Sequence, residues 1–96
     1  MTAAMERLIG EPMNPASRQH KQVWARIIVA EALCDQGWTS KAIGDFLGKD
    51  HSTVVFYLHE IRNMVELPLA FQWENELFAD FTEIKWKTNG FENETE

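Results

Sequence analysis

The spacing of apolar residues most constrains what this chain can fold into, because it recurs at intervals of three and four rather than two. Val23, Ile27, Ala30 and Cys34 fall at i, i+4, i+7 and i+11, and Val54, Leu58, Ile61 and Val65 repeat that interval. Trp73, Leu77, Phe81 and Ile84 follow at i, i+4, i+8 and i+11. Each set lies on one face of a helix, whereas a strand face takes every second residue. No alternating run of useful length is present, so the chain is predicted to be all-α.

Breakers and caps divide the pattern into about five helices. A short helix over 3–9 is interrupted by Gly10, Pro12, Asn14 and Pro15. Ser17 is positioned to cap the next helix and Gly37 to end it. Thr39 is the predicted N-cap of a third, short helix with Ile43, Phe46 and Leu47 facing inward. Gly44 has no side chain there, which lets a neighbouring helix come close. Leu47-Gly48-Lys49-Asp50 reads as a tight turn between two helices. Asp50 then caps a fourth helix over 51–65. Pro68 fits the first turn of a fifth, in which Phe71 and Phe78 widen the apolar face and Glu74, Glu76, Asp80 and Glu83 keep the remainder wet. The division expected is an N-terminal arm or short helix over 1–16, a helix-turn-helix domain with an extra C-terminal helix over 17–86, and a flexible acidic tail over 87–96.

Composition narrows the function classes. The 96 residues are 45% hydrophobic with four Trp and six Phe, enough to bury a core without disulfides or metal. Cys34 is the single cysteine, so no intrachain disulfide forms; on its apolar stripe it reads as a small buried hydrophobe, not a nucleophile, in a reducing compartment. No basic leader precedes an apolar run, and no stretch approaches the ~18 apolar residues of a membrane span. A cytoplasmic, non-membrane location is expected. His20, His51, His59 and Cys34 lack metal-ligand spacing, and no carboxylate pair stands out from helix surface. No enzyme activity, metal or cofactor is expected.

The net charge of −6 counts against a polyanionic partner, but its distribution matters more. Residues 1–17 set Arg7 against Glu6 and Glu11; residues 18–62 set six Lys and Arg against five Asp and Glu; residues 63–96 set Lys85 and Lys87 against eight acids. The acidity is therefore C-terminal, and screening beyond ~10 Å leaves the middle free to present a local basic face.

Two helices joined by a glycine-bearing turn form a helix-turn-helix candidate. Its second helix must begin with short polar residues that reach base edges in the major groove. Here they are Asp50, His51, Ser52 and Thr53. A carboxylate accepts from the cytosine amine, an imidazole donates or accepts, and a threonine offers a hydroxyl and a methyl. Arg18, Lys21, Lys41 and Lys49 are the candidates for contact with the DNA backbone or minor groove.

The run Ile43-Gly44-Asp45-Phe46-Leu47-Gly48-Lys49-Asp50-His51-Ser52-Thr53-Val54-Val55, followed by Glu60-Ile61, resembles the signature of the C-terminal DNA-binding domain of the bacterial replication initiator DnaA. The likeness covers residues 17–65. It implies a Trp-repressor-like helix-turn-helix fold and sequence-specific reading of double-stranded DNA, in replication or transcription control. It places base reading on Asp50, His51 and Thr53 with Ser52 beside them, a basic turn residue on Lys49, and a minor-groove arginine on Arg18. Phe56 stands where that family commonly has a polar base-contacting residue, and is expected to meet a thymine methyl or a protein surface. Tyr57 stands where the signature has Ala or Ser, which predicts different packing around the recognition helix. Leu47 replaces a common glycine, and Glu31 falls near a phosphate-contacting lysine, where it would repel DNA. No Gly-x-x-x-x-Gly-Lys-Ser/Thr phosphate loop is present, so the initiator's ATPase is not implied.

The rival reading is a protein-interaction module on a helix-turn-helix scaffold that has lost DNA binding. Its basis is the aromatic set of the fifth helix, from which Phe71, Trp73 and Phe78 could form a homodimer seam.

Overall fold

The computed structural model describes the backbone of residues 1–95 and the side chains of residues 1–84. Five helices follow one another: α1 Thr2–Ile9, α2 His20–Asp35, α3 Ser40–Leu47, α4 His51–Glu66 and α5 Gln72–Thr95. The described residues contain no strand, and no helix among them is long and apolar enough to cross a membrane. The acidic tail expected over 87–96 lies outside the residues whose side chains are described.

The centre of the fold is α2, which packs against α1, α3 and α4. Residues 24–30 are all buried, so this helix has no wet face in its middle. The single stripe read from the sequence was accordingly too narrow. Ile27 and Ala30 are core, but so are Trp24, Ile28, Val29, Ala32 and Leu33, and Val23 is only partly buried. Cys34 is exposed rather than buried, as are all of residues 34–39 from the end of α2 onward. A helix packed on several sides buries apolar residues all round and hides its period.

In α4 the buried residues are Val54, Tyr57, Ile61 and Met64, a stripe turned from the one expected. Leu58 is partly buried and Val65 is 63% exposed. Tyr57 and Met64 are larger than a β-branched valine, and the phenol has a buried partner, described below, that allows it inside.

Two helix starts differ from expectation. Helix α2 begins at His20, not after Ser17; Ser17 Oγ instead accepts from the Gln19 N–H at 3.2 Å within an irregular segment. Helix α5 begins at Gln72, after a turn in which the Ala70 N–H donates to Leu67 O at 3.0 Å, so Pro68 lies ahead of the helix. Leu77 and Phe81 anchor α5 in the core, with Phe71 and Phe78 packed beside them. Glu74 is 8% exposed, against the expectation of a wet residue. It shares a hydrogen bond with His20 Nε2 at 2.5 Å, and the His20 ring lies 6.3 Å from Trp24 and 5.5 Å from Trp73. That partner makes burial of the carboxylate tolerable. Trp73 itself is 43% exposed.

Candidate nucleic-acid interface

The α3–α4 junction is built from local bonds. Thr39 caps α3 as predicted, its Oγ1 accepting from the Ala42 N–H at 3.1 Å. Ile43 and Leu47 face inward, but Phe46 is 48% exposed and meets Trp38 edge-on, ring centres 5.6 Å apart. Helix α3 stops at Gly48, whose φ of 71° is a left-handed conformation that residues with a Cβ resist. The Lys49 N–H then donates back to Gly44 O at 2.8 Å. A Cβ at Gly44 would sit 2.4 Å from Lys49 O. The missing side chain thus admits the backbone of the turn itself, where the sequence had suggested a neighbouring helix.

Asp50 starts α4. Its Oδ1 accepts from the Thr53 N–H and from Ser52 Oγ, both at 2.9 Å. The backbone hydrogen bond from Thr53, then the Ser52 and Thr53 hydroxyls, hold the Asp50 carboxyl below its ordinary range. Asp50, Ser52 and Thr53 therefore form one capping cluster, and Thr53 is half-buried in it. His51 and Ser52 stand exposed at the helix tip, and Phe56 is 55% exposed one turn on.

The exposed positions of α4 from 51 to 63 are His51, Ser52, Val55, Phe56, His59, Arg62 and Asn63, and none is a carboxylate. Glu60 is half-buried beside them and accepts from Asn63 Nδ2 at 3.2 Å. In a chain with fifteen acids, the exposed positions of these three turns thus carry none, with Asp50 at the tip and half-buried Glu60 the carboxylates nearest to them. Such a surface offers an N-terminal helix dipole, imidazoles that donate or accept, a hydroxyl, and apolar groups that fit a thymine methyl.

The basic residues singled out from the sequence are dispersed. Lys49 is half-buried in the turn, and Lys41 is exposed at the start of α3. Arg18 is exposed just ahead of α2. Lys21 turns toward α1, pairing with Glu11 Oε1 at 2.6 Å and donating to Ile9 O at 3.4 Å. That pairing, with Gln22 adding a second hydrogen bond, lowers the Glu11 pKa. Glu31 is half-buried on α2.

Sequence reading missed Arg26. It is 4% exposed, and its guanidinium donates to Tyr57 Oη at 3.0 Å, Asn14 O at 2.7 Å and Ser17 O at 2.8 Å. The clue was available: a lone arginine within the apolar run from Val23 to Leu33 must find acceptors, since a buried charge without them is costly. What the sequence lacked was any indication of where those acceptors lie.

Among the described residues, no three His, Cys, Asp or Glu side chains gather as ligands of a metal would. Comparison of the chain with protein-family models, curated proteins and solved structures gives no match.

Proposed function

We propose that this chain is a sequence-specific double-stranded DNA-binding protein with a DnaA C-terminal-like, Trp-repressor-like helix-turn-helix, acting in replication or transcription control. Helix α3 would cross the DNA backbone while α4 enters the major groove. The observation that carries the reading is that the exposed positions of α4 from 51 to 63 carry no carboxylate, behind a tightly capped turn, in a chain of net charge −6. His51, Ser52 and Phe56 are the base readers of this proposal, with Asp50 and Thr53 at the same tip. Asp50 does double duty, because Oδ1 already accepts the cap bonds and a base amine would have to share that carboxylate. Arg18, Lys41 and Lys49 contact phosphate or the minor groove.

The test is substitution at the tip. His51→Ala and Thr53→Ala should each weaken binding to a selected duplex by roughly 1–3 kcal/mol, the usual worth of a good base contact. Parent affinity in both variants would overturn the assignment.

One observation favours the second reading, a protein-interaction module. Trp38, Phe46, Val55 and Phe56 are all large apolar residues left exposed around the same two helices. Loss of duplex binding altogether, with capture of a protein ligand abolished by Phe56→Ser, would select it. Pairing of two copies is part of the proposal in one form only. Phe71 and Phe78 are used within the chain, so a homodimer would rest on Trp73, and a palindromic selected site with a dimer mass in solution is its mark.

A further inference from the structure

We propose that Arg26 is a positioning residue that locks the non-helical segment 11–19, and with it Arg18, to the recognition helix α4. What Arg18 then contacts rests on the DNA reading above; the lock itself does not.

Segment 11–19 lies between α1 and α2 and has no helix of its own, yet side chains from elsewhere hold its backbone at Pro12, Met13, Asn14 and Ser17. The Met13 N–H donates to Glu6 Oε2 at 2.7 Å, and the Asn14 N–H donates to Gln22 Oε1 at 2.8 Å. Gln22 Nε2 returns bonds to Glu11 Oε2 at 2.8 Å and Pro12 O at 2.9 Å. Arg26 adds the carbonyls of Asn14 and Ser17, and its Nε reaches across to Tyr57 of α4. Pro15 leans on the end of α3, where a Cβ built on Gly48 would lie 3.4 Å from its Cβ.

Arg18 sits inside this frame. Ser17 O before it is held by Arg26, the Gln19 N–H after it by Ser17 Oγ, and Gln19 O accepts from the Val23 N–H at 2.9 Å. The backbone on either side of Arg18 is thus bonded, and its side chain is exposed. The guanidinium suits this task because its donors form a rigid planar fork, which fixes acceptors from two elements relative to each other; a lysine ammonium would not. A contact residue fixed in this way loses little freedom on binding.

The experiment uses Arg26→Lys and Tyr57→Phe, the second a change on the far element that leaves Arg26 in place. Amide hydrogen exchange is followed by NMR across 13–19, and duplex affinity is measured with and without Arg18→Ala in each background. Both variants should speed exchange at Ser17 and Gln19 by about ten-fold while the amides of residues 54–61 keep their protection. Arg18→Ala should weaken binding about ten-fold in the parent and less than about two-fold in either variant, the coupling expected of residues that act through one another. Unchanged exchange in both variants, or the same Arg18 loss in all backgrounds, overturns the proposal. Faster arm exchange in a protein that binds no duplex would leave the lock standing and remove the DNA reading alone.

Discussion

The turn at 48–50 and the arm at 11–19 are both short connections without regular structure, but they are held by opposite means. Every bond that shapes the turn lies within a few residues: Gly48 with its positive φ, Lys49 N–H on Gly44 O, and Thr53 N–H on Asp50. The arm is held by Glu6, Gln22 and Arg26, from seven to twelve positions away, and through Arg26 by Tyr57, 31 positions from it. A local device survives on its own chemistry. A distant one exists only when the whole core is assembled. The turn should therefore respond to changes in backbone fit, and the arm to loss of a single buried side chain.

The largest effect is expected from Arg26→Met. It removes three hydrogen bonds donated by a charged group, to Asn14 O, Ser17 O and Tyr57 Oη, each worth about 1.5–3 kcal/mol, so a loss of about 3 kcal/mol or more is expected in urea unfolding. A loss under about 1 kcal/mol would mean that water replaces the guanidinium and that the arm is not locked. Next comes the turn. Gly44→Ala drives a Cβ into Lys49 O and should lower stability by about 2 kcal/mol, like other overpacked sites. Gly48→Ala meets no backbone clash but must hold a positive φ, and should lose about 1 kcal/mol. Reversal of that order would show that the left-handed cap, not the close approach at Gly44, sets the turn.

These two regions also show what was legible in the chain. Thr39, Asp50 and Gly48 could be read directly, because caps and tight turns depend on neighbours in sequence. The faces of α2, α4 and α5 could be read only coarsely. Each helix exists where its apolar spacing put it, but which residues turn inward depended on partners. Tyr57 enters the core because Arg26 waits for it, and Glu74 because His20 does. Phe46 and Val65 looked like core and remain exposed. The arm was not legible beyond its breakers, since Gly10, Pro12 and Pro15 say where a helix stops and nothing of what binds the freed carbonyls. Of the candidate interface, the tip of α4 was readable, whereas the lack of carboxylates at its exposed positions from 51 to 63 required the burial pattern.

A smaller effect reports on the turn through pH. The cap bonds lower the Asp50 pKa in the folded chain, so its carboxylate stabilises the fold above the ordinary aspartate value of ~3.9, and that contribution fades as pH falls through the lowered folded value. Asp50→Asn should be less stable than the parent near neutrality and converge with it in acid, measured as unfolding midpoints from pH 7 down to pH 3. A gap that stays constant with pH would place the effect in shape, not in charge. The smallest change expected is at Leu69, which is 84% exposed: Leu69→Ser should stay within about 0.5 kcal/mol of the parent. A larger loss would reveal a buried role for the α4–α5 turn that its exposure denies.

The central claim is that α4 reads duplex DNA, and retention of a random duplex pool by the purified protein at ~50 mM salt tests it most directly. The account predicts an enriched sequence whose affinity falls with salt on a log–log slope of about −0.9 per phosphate contact, and which His51→Ala no longer selects. A chain that retains no duplex at that salt, or retains every sequence equally, would contradict it.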